Sequence, residues 1–274
     1  MSGPWNWRGP LSDHVIETML SKRESSLLRA LTTRGGRRRS EFCRCEGVRA
    51  VRELLAKRPE LVEFVAATAR GVAALGCEPP NFRQLAEAEF SSVSDTVNSQ
   101  GVLALARIPE EKTGIPDGEF ILVLDRIGDP GNFGTMARTF LAIGGRELWL
   151  TKGTVDPWCD KAIRSGMGAQ FALDLRKFED LETMSAFASG NGFKRFFYAD
   201  PHKGESCFGC PDLYDRSLIV IGGEANGSTD LPSGTRSVRI PMPGNYESLN
   251  AAQAATVLLV EYARRCQTEG DLKS

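Results

Sequence analysis

The chain has 274 residues, of which 41% are hydrophobic, 25% charged and 8% aromatic. That length and balance exclude disorder, a collagen-like repeat and a long coiled coil, and leave one large α/β domain or two smaller ones. The net charge of −1 conceals a split, because residues 1–60 carry 13 Lys/Arg against 7 Asp/Glu while residues 61–274 carry 21 against 28.

In chain order, the Gly-, Pro- and Trp-rich start to about Pro10 is expected to be a poorly ordered extension. A helix is predicted over Ser12–Leu31, with Val15, Met19, Leu27, Leu28 and Leu31 as its apolar positions, ended by Arg34-Gly35-Gly36-Arg37-Arg38-Arg39. Residues 20–58 hold 12 basic and 4 acidic side chains, enough either to attract a polyanion or to form a solvated helical face. A strand near Phe42, a helix over Glu46–Lys57 and strands over Leu61–Ala66 and Gly101–Ala106 complete a small α/β unit. Residues 108–118 are polar and broken by Pro and Gly, as domain linkers are.

Beyond the linker, residues 119–274 alternate strand and helix, the pattern of a parallel sheet covered on both faces. The predicted strands are Phe120–Asp125, Glu147–Leu150, Arg195–Ala199, Ser217–Ile221 and Val238–Ile240. The predicted helices are Asn132–Ile143, Pro157–Arg164, Glu179–Ser189 and Ser248–Arg265. Apolar runs such as Ile121-Leu122-Val123-Leu124 fall far short of the roughly 20 residues of a membrane span, and the N-terminus has no signal-peptide pattern. Seven cysteines, an odd number, point to reduced thiols in a cytoplasm. Cys43 with Cys45, and Cys207 with Cys210 near His202, raise zinc as an alternative. No metal is expected, since a structural zinc site takes two correctly spaced ligand pairs.

Three segments carry chemistry. In Leu124–Thr139 a buried strand runs into a Gly-rich turn and a helix, the place where α/β sheets hold ligands. Its glycines, 128, 131 and 134, are spaced G-x-x-G-x-x-G rather than as the G-x-G-x-x-G of a dinucleotide loop. Arg138 lies further along this helix, where a surface ion pair is its ordinary role. In Leu218–Gly227 an apolar strand ends in Gly222-Gly223-Glu224, bringing backbone close to a ligand and a carboxylate to the strand end. In Arg239–Ala252 prolines confine the backbone, Ser248 is placed to cap the next helix, and Asn250 falls in its first turn, where free N–H groups bind polar atoms.

Taken in order, D-x-x-N-x-G-x-x-x-R-T from Asp129, G-x-E-x-x-G from Gly222 and I-P-M-x-x-x-x-x-S-L-N from Ile240 resemble the SpoU/TrmH group of SPOUT methyltransferases over residues 120–265. Phe42–Leu55 and Val93–Ala104 are similar to the opening and closing segments of that family's RNA-binding domain. Lys161, Arg164, Ser165 and Gly168 also fit its pattern. Ser228, where the family commonly has an apolar residue, and Phe140, in place of a small one, depart from it.

The resemblance implies a deep trefoil knot in the C-terminal sheet, a homodimer through the C-terminal helix, and transfer of a methyl group from S-adenosyl-L-methionine (AdoMet) to a ribose 2′-hydroxyl of structured RNA. Ribosomal RNA, 23S in particular, is favoured over tRNA because a separate N-terminal RNA-binding domain, residues 21–107, precedes the methyltransferase domain. Asn132, Arg138, Glu224, Ser248 and Asn250 fall on the family's catalytic positions. Gly222, Ile240 and Leu249 fall where backbone holds AdoMet, with Gly223 and Met242 beside them. Arg34, Arg37, Arg38 and Arg39, with Arg49, Lys161 and Arg164, are the expected RNA contacts; neither DNA nor membrane is expected. Arg138 is expected to orient ribose and phosphate and to stabilise alkoxide charge, since a guanidinium stays protonated at neutral pH. The alternative is an RNA-binding or ribosome-assembly protein with a silent catalytic half.

Overall fold

The computed structural model describes residues 19–77, 79, 81–223, 231–244 and 248–271, the side chains of 268–271 excepted. The chain divides into two compact units, one formed by the chain up to Pro109 together with Trp158–Phe171, the other by Glu110–Pro157 and the chain from Ala172 onward.

The first unit runs α1 (Lys22–Ala30), α2 (Arg34–Arg37), β1 (Phe42–Glu46), α3 (Val48–Lys57), β2 (Val62–Ala67), α4 (Ala69–Leu75), β3 (Phe82–Gln84), α5 (Glu87–Val93) and β4 (Val102–Arg107). The second starts with β5 (Phe120–Asp125), α6 (Pro130–Ala142) and β6 (Glu147–Thr151). After α7 (Asp160–Gly166), which belongs to the first unit, it continues with β7 (Asp174–Phe178), α8 (Leu181–Gly190), β8 (Arg195–Ala199), β9 (Glu205–Ser206), β10 (Ser217–Gly222), β11 (Arg236–Arg239) and α9 (Ala251–Asp271).

In the first unit a four-stranded sheet has the order β1-β4-β2-β3, antiparallel except between β2 and β3. Ser21 caps α1: it accepts from Glu24 N while the Glu24 carboxylate accepts from Ser21 N, a reciprocal capping box, and the start of the predicted Ser12–Leu31 helix lies outside the described residues. The Arg/Gly cluster forms the one-turn helix α2, capped by Thr33. It does so because Gly36 sits against the Ala30 carbonyl, where a Cβ would lie 1.9 Å from the oxygen. Residues 158–171 join this unit through an ion pair at the start of α7: Arg44 on β1, fully buried, has Nη2 3.3 Å from Asp160 Oδ2. Within the segment Trp158 meets Phe171 at a tilt, with ring centroids 5.2 Å apart.

The second unit is a seven-stranded parallel sheet ordered β7-β6-β5-β10-β8-β11-β9. β5 is buried at every residue, as a central parallel strand is. β7 has no counterpart in the predicted strands because Asp174-Leu-Arg-Lys-Phe carries the charges of an edge strand. Residues 111–117 run as a strap along that edge. Lys112 N donates to Leu175 O, Lys112 Nζ and Lys177 Nζ pair with Asp174 and Glu111, and Arg176 Nη2 donates to Gly114 O. Buried Glu147 accepts from Arg176 Nε, Trp149 Nε1 and Asp117 N. Phe140 is accommodated by Gly145, whose Cβ would lie 2.5 Å from its ring, and meets Phe120 edge-on.

Candidate active site

Two helix N-termini meet at the carboxyl edge of the second sheet. Asp129 caps α6, accepting from Asn132 N at 2.8 Å, with Pro130 at the first helical position. Asn250 caps α9, its Oδ1 accepting from Ala252 N at 2.9 Å and Gln253 N at 3.4 Å. The two asparagines join directly: Asn250 Nδ2 donates to Asn132 Oδ1 at 3.1 Å. The cap therefore belongs to Asn250 rather than to Ser248, which lies two residues outside the helix and is exposed. A helix begins where a side chain first satisfies its free N–H groups, and the Asn250 amide does that while also holding α6.

Asn250 has two separable tasks, so two variants separate them. Asn250→Asp keeps an acceptor for the α9 N–H groups and is expected to unfold within about 0.5 kcal/mol of wild type, whereas Asn250→Ala loses about 1 kcal/mol of capping. Both lose the donor to Asn132 and are expected to lose turnover alike. Urea denaturation beside single-turnover kinetics checks this.

Beside the asparagines lies a cavity of about 240 Å³. Gly222, Gly223, Ile240, Met242 and Leu249, the residues expected to hold cofactor, all line it, and Ser248 joins them. Ile221, Val238 and Leu258 complete apolar walls, while Tyr198 and Asp200 add polar groups. Both glycines are required sterically. A Cβ on Gly222 would lie 2.3 Å from Tyr198 Oη, and one on Gly223 2.4 Å from the Arg126 carbonyl oxygen. The strand end therefore packs tightly against its neighbours, and at Gly222 and Gly223 the cavity is lined by backbone without a side chain. Asp200 Oδ1 accepts from His202 N and Lys203 N at 2.8 and 2.9 Å, fixing its carboxylate at the cavity. Sequence reasoning ended its strand at Ala199; the available signal was a carboxylate immediately after a parallel strand.

Arg138 is exposed on α6 and does not line this cavity, and it makes no hydrogen bond or ion pair among the described residues. Glu224 lies outside the described residues. Of the expected RNA contacts, Arg34, Arg38, Arg39, Arg49 and Lys161 are exposed. Arg37 is occupied, donating through Nη1 to the carbonyls of Leu31 and Thr32 beyond α1. Arg164 donates to Thr96 Oγ1 at 3.2 Å. Cys207 and Cys210 are buried, and burial raises both thiols, Cys210 to about 12. That disfavours the thiolate a metal needs. Among the described residues no three His, Cys, Asp or Glu side chains gather as a metal site.

Residues 119–260, just over half of the chain, match the family described as SpoU rRNA Methylase. The chain belongs to the SpoU rRNA methylase family. A relative, the 23S rRNA (guanosine(2553)-2′-O)-methyltransferase RlmP of Bacillus subtilis, is 32% identical over 182 residues, 64% of this chain and 69% of the relative. Alignments with the curated relatives span between 51% and 80% of those proteins' lengths, and 65% for a Synechocystis relative described as an uncharacterized tRNA/rRNA methyltransferase. Among solved structures, a TrmH-family protein from Porphyromonas gingivalis superposes with a TM-score of 0.75 at 28% identity, covering 90% of this chain and all of that one. The SpoU methyltransferase AviRb from Streptomyces viridochromogenes, solved in complex with AdoMet, shares the fold at a TM-score of 0.74 and 23% identity, with 90% and 100% covered.

Proposed function

We propose that this SpoU-family chain transfers a methyl group from AdoMet to a ribose 2′-hydroxyl of structured RNA, with 23S rRNA as the substrate. The observation that carries the proposal is the Asn132–Asn250 hydrogen bond joining two helix N-termini beside the Gly222–Gly223 cavity. The 2′-O activity of the Bacillus relative and the AdoMet-bound fold neighbour support it.

The backbone of Gly222, Gly223, Ile240 and Leu249, with the Met242 and Asp200 side chains, would hold the cosubstrate. Bound there, AdoMet supplies an electrophilic methyl group and needs no metal. The protein's own task is alignment and charge. Asn132 Oδ1 is taken by Asn250, which fixes the amide and leaves Nδ2 to donate to a ribose oxygen. The partial positive charge at the start of α6 and α9 favours oxyanion character at the same place. Arg138, exposed and unpaired among the described residues, orients ribose and phosphate and stabilises alkoxide charge. Ser248 at the cavity rim and Glu224 assist in ordering the substrate.

The same proposal includes a trefoil-knotted C-terminal segment, a homodimer through α9 and action in the cytoplasm. Val260 of α9, 54% exposed, is an apolar residue available to such an interface. The first unit is proposed to bind RNA through Arg34, Arg38 and Arg39. Replacing all three with Ser is expected to weaken rRNA binding about tenfold at moderate salt and to lower the salt slope by up to about three. Filter binding over a salt series measures it.

Incubation with methyl-labelled AdoMet and purified 23S rRNA or bulk tRNA, followed by nuclease digestion, tests the reaction. A 2′-O-methylated nucleoside from 23S rRNA is the expected result. Label in tRNA alone would move the substrate, and label in neither would overturn the enzyme in favour of an RNA-binding protein with a silent catalytic half.

A further inference from the structure

The turn between β5 and α6 contains an arginine in a backbone conformation that arginine disfavours. Arg126 has φ = 54°, in the left-handed region where glycine and asparagine are at ease. Such strain persists only where the surroundings over-determine it, and it gathers at functional sites. Here the surroundings do so. Arg126 N donates to Thr151 Oγ1 at 3.0 Å, Val155 N to Ile127 O at 2.8 Å, Thr154 Oγ1 to Leu124 O at 2.9 Å, and Gly223 N to Asp125 O at 2.9 Å. Glycines on both neighbouring strand ends make room for this one residue. A Cβ on Gly153, after β6, would lie 3.0 Å from Arg126 Cγ, and one on Gly223, after β10, 2.4 Å from Arg126 O.

The guanidinium does little for stability in return. Arg216 also has a left-handed backbone, but its guanidinium donates to Gly118 O and Asn191 O and covers the Phe193 ring at 4.0 Å, which is a structural task. Among the described residues Arg126 makes only long side-chain hydrogen bonds, Nε at 3.4 Å and Nη2 at 3.3 Å from Asp125 Oδ2, and its side chain is 37% exposed. Asp125 already accepts from Thr151 Oγ1 at 2.6 Å through its other oxygen. Nη1 has no partner among the described residues. A charged fork is therefore held, at a conformational cost, on the carboxyl edge of the sheet, its stem against Gly153 while the backbone oxygen of the same residue abuts Gly223 in the cavity wall.

We propose that Arg126 binds a backbone phosphate of the RNA substrate at the carboxyl edge of the sheet, one strand end away from the cofactor cavity. A planar guanidinium with a free edge is suited to phosphate. The proposal rests on the RNA-methylation reading above and adds a residue to it.

Arg126→Asn tests it, because asparagine tolerates the left-handed backbone and lacks the charge. The expected result is a thermal midpoint raised by about 1–3 °C. Binding of purified 23S rRNA should weaken about 5- to 10-fold, with a salt slope lower by about one, and KM for RNA should rise more than kcat falls. AdoMet affinity by calorimetry should not change, and Arg126→Lys should keep the wild-type slope. Unchanged rRNA binding and slope in Arg126→Asn would overturn the proposal. So would a lowered midpoint with AdoMet and rRNA binding lost together, which would make Arg126 a clip for Asp125. A wild-type protein that methylates neither RNA yet binds rRNA with an Arg126-dependent slope would overturn the methylation reading and support this one.

Discussion

Gly223→Ala is expected to lower AdoMet affinity by a factor of about 100, equivalent to about 2.7 kcal/mol, and methyl transfer should fall with it. The added Cβ would lie 2.4 Å from the backbone oxygen of Arg126. Neither partner can yield, because Gly223 N is bonded to Asp125 O and Arg126 is fixed on both sides by the loop after β6. The strand end must therefore move, and it carries the cavity wall with it. Gly222→Ala provides the contrast. Its Cβ would meet the Tyr198 hydroxyl at 2.3 Å, with the nearest ring carbon at 3.1 Å, so most of the overlap is with one removable oxygen. Adding Tyr198→Phe to Gly222→Ala is expected to recover at least a tenth of wild-type affinity, while the same change does nothing for Gly223→Ala. Titration calorimetry with AdoMet measures both. Wild-type affinity in Gly223→Ala would show that this wall does not hold the cosubstrate.

The cavity-lining residues were legible because their signal is local. An apolar strand ending in Gly222-Gly223, and a Pro-confined turn leading to Leu249, each announce close backbone approach. Asn132 and Asn250 were legible as positions, but not as a pair 118 residues apart in sequence; that pairing exists only once α6 and α9 start side by side. Serine is an ordinary cap, so the sequence points to Ser248, two residues ahead of the Asn250 cap and three ahead of the first helical residue, Ala251. Asp200 was missed since a single carboxylate after a strand has no periodicity to mark it. β7 was missed for the opposite reason: its charges are what an edge strand needs, and what a scan for apolar runs rejects. The clearest limit concerns residues 158–171. The helical pattern of Pro157–Arg164 is plain, but nothing local says that Asp160 pairs with Arg44, 116 residues earlier.

That pair makes the largest expected effect on stability, a loss of about 3–5 kcal/mol in Arg44→Met. Arg44 is fully buried, donates through Nη1 to Leu28 O at 3.1 Å and through Nη2 to Glu46 Oε2 at 3.2 Å, and faces Asp160 Oδ2 at 3.3 Å. Glu46 would still accept from Ser94, Ser99 and Asp95 N after the substitution. Asp160 would lose its closest cation with no hydrogen bond to replace it, leaving Arg164 as the remaining positive charge nearby. Removing one partner of a buried pair costs more than the pair contributes, because the other charge stays dehydrated. Asp160→Asn should therefore be mild by comparison. Burial, ahead of the attraction of Arg44 and Arg164, holds the Asp160 carboxyl above the ordinary carboxylate range. Folding then favours its protonated form. The stability this contributes is complete below the unfolded-state pKa and is lost as pH rises through the raised folded value. Asp160→Asn removes that loss, so its urea midpoint relative to wild type should rise over the interval that begins near the unfolded-state carboxylate pKa of about 4 and ends above the raised folded value. Arg44→Met should show the steeper loss of stability over the same interval, since without the guanidinium the carboxylate is harder to ionise. Urea denaturation of both variants across that range measures the difference; equal pH slopes in Arg44→Met and wild type would mean that Asp160 does not depend on Arg44 for its charge.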